Sequence, residues 1–412
     1  MKIAVVVQRY GADIVGGAER LCRGVCEGLV ERGHEVEVLT SCAQSYRTWA
    51  NAYPEGVEQI NGVSVRRFRV EQERDMASFN AASEALFGSP TGAEQQRSWV
   101  QAQGPYAPRL LDHLHAVAGE HDRLLFFTYL YYPTVHGIHA APERSVLVPT
   151  AHDEAPIYLE IYEAVFALPA GLIFNTEAEA DFVRRRFPRA AGNRRVIGVG
   201  IDALDALEKP PEASEIGPEP PQDAPPPGIG GVALGSGHEA SASILYAGRI
   251  EPGKGVAELV DHLARFRDDT GIDARLWLIG EVAMELPDRP WIEMLGFVGE
   301  EEKIRRLRSA AVLAAPSPLE SFGIVTLEAM AAGTPPLVNA AAGAAVEHCR
   351  KANAGLYYRS YAEFRGALEL LLRDGRLRAA MAKKGAAYVR ERYTWSRVVE
   401  QYEEFLQELG AE

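Results

Sequence analysis

The feature that most constrains this chain is an alternation that occurs twice. Short, continuous apolar runs are followed by segments with helical spacing, in two blocks separated by a stretch that can form no core. In the first block "KIAVVV" opens, "GGAERLCRGVCEGLVERGH" has helical spacing closed by Gly33, and "EVEVLT" follows. Later runs in that block are "RLLFFTYL", "SVLVPT", "GLIFNT" and "RRVIGVG". Continuous apolar runs are the mark of strands buried on both faces, as in parallel sheets. Strands alternating with helices predict a parallel sheet covered on both sides. The second block repeats the pattern with "ILYAG", "VAELVDHLARF", "RLWLIG", "WIEMLGFV", "AAVLAAPS" and "PPLVNA". Between them lies "EKPPEASEIGPEPPQDAPPPGIGGVALGSGHEAS", rich in Pro, Gly, Ser and Glu and too poor in apolar residues to pack.

The expected organisation is therefore α/β, with two Rossmann-like parallel-sheet domains facing across a cleft. Residues 1–203 form the first, 204–242 a linker, and 243–392 the second. The closing segment 393–412 is expected to be a helix packing back on the first domain. Ligands of such sheets bind beyond the carboxyl ends of the strands, so the loops there should carry the chemistry.

Charge narrows the partners. The chain has 43 Lys and Arg against 57 Asp and Glu, a net charge of −14. Nucleic-acid binding calls for a basic footprint, which is missing, so an anionic ligand must be held by a local cluster. The four cysteines, Cys22, Cys26, Cys42 and Cys349, lack zinc spacing and read as buried thiols of a reducing compartment. Met1 leads straight into the first strand without a signal-peptide layout, and no apolar run approaches a membrane span. The expected location is cytoplasmic, with peripheral contact at the inner membrane face left open. The basic "FVRRRFPRAAGNRR" reads as a solvated face, with an acidic membrane surface or a charged acceptor as its rival.

Three loops stand out. "GRIEPGKG", Gly248 to Gly255, follows a strand and meets the spacing of a nucleotide P-loop until Gly255, where magnesium chemistry requires Ser or Thr. What remains is a glycine-rich turn, two cations (Arg249 and Lys254) and a helix N-terminus, which together suit a diphosphate. "PSPLESFGIVTLEAMAAG" places Glu320 in a loop, breaks it at Gly323, and starts an apolar helix from Ile324 to Ala332 that buries Glu328. Backbone N–H groups near Gly323 to Val325 beside the Glu320 acid suit a ligand with both phosphates and hydroxyls. "GGAE", Gly16 to Glu19, follows the first strand. It has neither Gly-x-Gly-x-x-Gly nor an acid ending the second strand, so NAD and FAD are not expected.

These residues resemble the family 4 retaining glycosyltransferases. Glu320, Phe322-Gly323 and Glu328 match the family's Glu-x-Phe-Gly-x-x-x-x-Glu pattern. Gly248-Arg249 with Lys254-Gly255 matches its donor-diphosphate loop, and Gly16-Gly17-Ala18-Glu19 its first-domain glycine loop. His152-Asp153 matches its His-Asp loop, and "RYTWSRVVEQYEEFL" its last helix. The resemblance implies the GT-B fold and transfer of a hexosyl group from a UDP- or GDP-sugar to a hydroxyl acceptor, by a front-face route with retention. It implies that Arg249 and Lys254 neutralise the departing diphosphate, Glu328 holds the ribose, and Glu320 holds the sugar with backbone from Phe322, Gly323, Ile324 and Val325. Gly248 and the Gly16-Gly17 loop would line the donor site, Phe297 and Val298 would lie near the base, and His152 would contact the donor sugar. Asp153 and Glu19 fall on the acceptor side.

The resemblance implies no cofactor and no metal, and the lack of an Asp-x-Asp pair agrees with a metal-independent site. The acceptor is a sugar, a lipid-linked sugar or a small molecule. Where the family often has Gly-Gly-x-x-Glu, this chain has Gly343-Ala344-Ala345-Val346-Glu347. Tyr129, Tyr131 and Tyr132 read either as a sugar platform or as core. Two competing functions are a nucleotide-sugar isomerase or epimerase on the same fold and a catalytically silent nucleotide-sugar-binding protein. Oligomeric state is not legible.

Overall fold

The computed structural model describes residues 1–14, 16–88, 91–202 and 242–410. The chain divides into two compact units, Met1–Gly200 with Trp395–Glu412, and Ile201–Thr394. The expected linker, 204–242, lies outside the described residues up to position 241; Ala242 already begins a strand.

The first unit is built on strands β1 (Lys2–Val6), β2 (Glu35–Ser41), β3 (Gly56–Ile60), β4 (Val63–Phe68), β5 (Arg123–Phe127), β6 (Ser145–Val148), β7 (Gly171–Phe174) and β8 (Asn193–Val196). They form one sheet in the order β3-β4-β2-β1-β5-β6-β7-β8. Only β3 and β4 pair antiparallel, as the hairpin at the sheet edge. The parallel strands explain the apolar runs: β5, β6 and β7 are buried at every position because helices cover both faces. The two edge strands, β3 "GVEQI" and β8 "NRRV", lack this burial pattern.

The helix Trp395–Glu408 belongs to this first unit although it ends the sequence. It packs on the helix Gly17–Glu31 so closely that a Cβ on Gly24 would stand 2.1 Å from the Trp395 ring, and one on Gly28 2.4 Å from Val399. Val398, Val399, Tyr402, Phe405 and Leu406 are buried. Polar ties fix the register: Arg123 Nε donates to the Leu406 carbonyl, and Arg32 and His34 meet Glu403.

The second unit holds β9 (Ala242–Ala247), β10 (Ala274–Ile279), β11 (Ile292–Gly296), β12 (Val312–Ala315), β13 (Pro336–Asn339) and β14 (Leu356–Tyr358). All pair parallel in the order β11-β10-β9-β12-β13-β14. From β9 the chain adds strands to one side, then to the other from β12. The β9/β12 pair is therefore the point where strand order reverses, and crevices form at the carboxyl ends of such strands.

Candidate active site

In the second unit the two leading motifs meet at that reversal. The loop after β9 carries Arg249 and Lys254, and the loop after β12 carries Glu320. Lys254 Nζ lies 3.3 Å from Glu320 Oε1, with both side chains under a third exposed. Such a pair contributes only about 0–1 kcal/mol to stability, so its presence says more about ligand chemistry than about folding. Arg249 reaches Glu251 in its own loop, Nη2 to Oε1 at 3.3 Å, and Tyr246 donates its hydroxyl to the Arg249 carbonyl.

Glycines let these loops close on one another. Gly255 caps the helix Val256–Thr270 in the left-handed region at φ 73°, and a Cβ there would stand 2.5 Å from the Pro316 carbonyl. This is the physical reason why the P-loop pattern fails here: Ser or Thr would clash with the Glu320 loop. Gly280, at the end of β10, would place a Cβ 1.9 Å from the Gly248 carbonyl. Asn339, at the end of β13, donates to the Pro316 carbonyl and ties the third strand end to the same loop.

The helix Ile324–Ala332 has the span the sequence predicts, opened by Gly323 at φ 83°. The first backbone N–H groups of a helix have no partner inside it and favour anions. Those of Phe322-Gly323-Ile324-Val325 therefore open beside Glu320. Glu328 is wholly buried, as expected, and its Oε1 accepts a hydrogen bond from Lys303 at 3.0 Å. Lys303, on the helix Glu300–Ser309, also meets Glu300. Nothing in the spacing singled out Lys303, because the two residues stand on separate helices. Phe297 is 74% exposed in the loop after β11, where an uncovered aromatic ring is uncommon, while Val298 is partly buried against the core cluster of the second sheet.

In the first unit the glycine loop and the His-Asp loop each sit on a buried acid. Glu19 is buried and accepts from both Arg9 Nε and Gln8 Nε2 at 3.0 Å. Gly16 is extended, and a Cβ there would stand 2.2 Å from Glu19 Oε2, so glycine is required by close approach. Thr128, after β5, donates to Gln8 Oε1 and joins this group. Glu19, placed on the acceptor side by the resemblance, thus has its carboxylate engaged in holding the loop's base.

His152 pairs with Glu154, Nε2 to Oε2 at 3.4 Å, and Tyr129 donates to the other Glu154 oxygen at 2.7 Å. Burial alone would pull the imidazole pKa down, but the hydrogen bond and charge of Glu154 outweigh it and hold it above its ordinary value. Burial likewise works to raise Glu154, yet its bonds to His152 and Tyr129 leave it below the usual carboxylate range. Asp153 accepts from the Tyr158 hydroxyl at 2.7 Å. Tyr129 is core rather than platform: it is buried, edge-on to Tyr162. Tyr131 stands edge-on to Trp49 and Tyr132 edge-on to Tyr106.

Two supports were not legible in sequence. Glu179 is buried, and its carboxylate accepts from the Ala151 N–H at 2.6 Å and the Asn175 N–H at 2.7 Å, stitching the ends of β6 and β7 together beneath His152. Thr128 and Thr150 both adopt left-handed backbone at strand ends, φ 67° and 51°. For a β-branched residue that conformation costs on the order of 1–3 kcal/mol, and such strain concentrates at functional loops. Only the helical position of Glu179 after "GLIFNT" was available as a signal. Among the described residues no group of three His, Cys, Asp or Glu gathers around a point, and no helix is long and apolar enough to cross a membrane.

Comparisons with known proteins agree with this geometry. Residues 16–200 match the family described as "Glycosyl transferase 4-like domain", and residues 237–388 that described as "Glycosyl transferases group 1". The chain is 26% identical to D-inositol 3-phosphate glycosyltransferase of Jonesia denitrificans over 93% of this chain and 89% of that protein. It is 27% identical to phosphatidyl-myo-inositol mannosyltransferase of Mycobacterium leprae over 97% of this chain and 95% of that one. Among solved structures it resembles Anabaena HepE in complex with UDP and glucose, with a TM-score of 0.66 at 18% identity over 99% of this chain and all of that one. Two parallel-sheet units of this topology and likeness to such structures are the GT-B fold. With each unit matched by its own glycosyltransferase model and full-length relatives that carry the same activity in their names, the chain belongs to the family 4 glycosyltransferases.

Proposed function

We propose that this glycosyltransferase moves a hexosyl group from a nucleoside-diphosphate sugar, UDP- or GDP-linked, to an acceptor hydroxyl with retention at the anomeric carbon and without a metal. The observation that carries the reading is the Lys254–Glu320 pair at the strand reversal of the second sheet, one cation and one acid supplied by adjacent strand-end loops. A diphosphate would take Lys254 and Arg249 as counter-charges, and its arrival would release Glu320 to accept the sugar's hydroxyls. The bond from the anomeric carbon to the diphosphate oxygen breaks while the acceptor oxygen bonds on the same face. The acceptor's proton passes to the departing phosphate oxygen. Cations aimed at the developing charge each lower the barrier by about 3–4 kcal/mol in sites of this kind.

Phe297 would stack on the base. Glu328, whose Oε1 is held by Lys303, would hold the ribose hydroxyls. His152, held cationic further up the pH scale by Glu154, would face the sugar, with Asp153 and Glu19 supporting the acceptor side. Arg249 and Lys254 perform the charge compensation that a metal supplies elsewhere.

The test is binding and turnover together. UDP, GDP and ADP, with and without EDTA, should give a thermal shift for one base. At 100 times the dissociation constant that shift corresponds to about 2.7 kcal/mol. Lys254→Ala should abolish the shift, and Glu320→Ala should lower transfer by about 100-fold or more while leaving nucleotide binding. The acceptor panel begins with D-inositol 3-phosphate and phosphatidyl-myo-inositol, each of which appears in the name of a relative. Wild-type turnover in both variants would overturn the assignment, and donor conversion without acceptor would favour the isomerase.

A further inference from the structure

Beneath the Glu320 loop lies a buried aromatic cluster that no catalytic role above uses. His348, on the helix Gly343–Ala352, is wholly buried; Phe322, Tyr388 and Tyr393 are nearly so. His348 Nε2 lies 3.0 Å from the Phe322 carbonyl, His348 Nδ1 3.1 Å from the Tyr388 hydroxyl, and Tyr388 Oη 3.0 Å from Tyr393 Oη. The rings of Phe322, His348 and Tyr393 meet edge to face at 5.0 to 5.6 Å.

The directions of these hydrogen bonds follow from the acceptor at one end. A carbonyl only accepts, so Nε2 carries the proton. In a neutral imidazole Nδ1 then accepts, so Tyr388 donates to it and accepts in turn from Tyr393. The ring is neutral because burial pushes it down to about 4; Glu347 and Lys351, beside it on the same helix, act in opposite senses. No carboxylate touches the ring among the described residues.

We propose that His348, set as the Nε2–H tautomer by the Phe322 carbonyl and anchored at Nδ1 by Tyr388, is a positioning residue for the donor loop: it locks the Phe322 carbonyl and so aims the Gly323 N–H. A trans peptide places its C=O and N–H on opposite sides. A carbonyl held inward to His348 therefore turns the Gly323 N–H away from it, at the left-handed turn that opens the Ile324–Ala332 helix. The claim about donor binding rests on the reading of residues 320–325 as a donor loop; the claim about loop geometry does not.

The test uses four variants of the full chain. His348→Leu removes the donor and His348→Gln restores an N–H at the same reach. Tyr388→Phe keeps the ring but leaves Nδ1 without its anchoring donor, and Tyr393→Phe leaves the Tyr388–His348 bond intact. Amide exchange across residues 319–326 should quicken about tenfold in His348→Leu and Tyr388→Phe and stay within about threefold in the other two. Affinity for the nucleoside diphosphate that wild type binds should fall by the same pattern, about tenfold against threefold.

Nitrogen-15 shifts of labelled histidine should report Nε2–H in wild type and in Tyr388→Phe, with the Nδ1 shift moved in the variant by loss of the Tyr388 hydrogen bond. Should His348→Leu fail to fold, Tyr388→Phe decides alone. Wild-type exchange and affinity in Tyr388→Phe, or equal damage from Tyr393→Phe, would overturn the proposal. If the exchange and tautomer pattern holds but wild type binds no nucleoside diphosphate, the positioning role stands and the donor reading falls.

Discussion

At the scale of single residues, acids here act through what they are bonded to. His152 and Glu154 shift one another in opposite directions, and the sign gives a pH window. A histidine raised on folding stabilises fully below its ordinary value of 6.5, and the gain is lost as pH rises through the folded value. A glutamate lowered on folding stabilises fully above 4.5, and the gain is lost as pH falls through its folded value. The pair therefore contributes most between about 4.5 and 6.5. Glu154→Gln should lower the His152 midpoint, read by NMR titration of the ring; an unmoved midpoint would assign the shift elsewhere. Glu19 makes the same point in a different way. Its position after Gly16-Gly17 was readable. That its charge faces Arg9 and Gln8 was not, because strand and helix meet only in the fold.

At the scale of elements, strand ends do the positioning. Glu179 takes two backbone N–H groups that no strand pairing satisfies, one in the loop after β6 and one directly after β7. Glu179→Ala leaves both unbonded in a buried place, so the unfolding free energy should fall by about 2–4 kcal/mol. Denaturant unfolding checks this, and exchange should quicken first at Ala151 and Asn175. A loss below about 0.5 kcal/mol would mean that the N–H groups find other partners.

The same scale shows what periodicity reveals. The buried strands and the span Ile324–Ala332 were legible because burial writes itself into consecutive or helically spaced residues. Gly255 was legible as a departure from the P-loop, while its reason, the Pro316 carbonyl, was not. Lys303–Glu328 and His348–Phe322 join different elements, and no local pattern records such pairs.

At the scale of the whole molecule, sequence order and structural unit part company. The chain passes between units at 200–201 and again at 394–395. The returning helix Trp395–Glu408 completes the first unit with five buried residues, against glycines that leave room for Trp395 and Val399. Its strict fit predicts where damage will travel. Leu406 is fully buried, and its carbonyl accepts from Arg123 at the start of β5. Leu406→Ala should lower the stability of the first unit by about 2–5 kcal/mol, the usual loss for a buried leucine with incomplete relaxation. Amide exchange should quicken in β1, β5 and β7, which lie up to about 400 residues earlier in sequence but in the same unit, while β9 to β14 keep their protection. Nucleotide binding, assigned wholly to the second unit, should then survive the substitution at a temperature where the first unit has begun to open. Uniform loss of protection across both sheets would mean that the two units unfold as one, and would move the origin of the molecule's stability from the separate cores to their joint assembly.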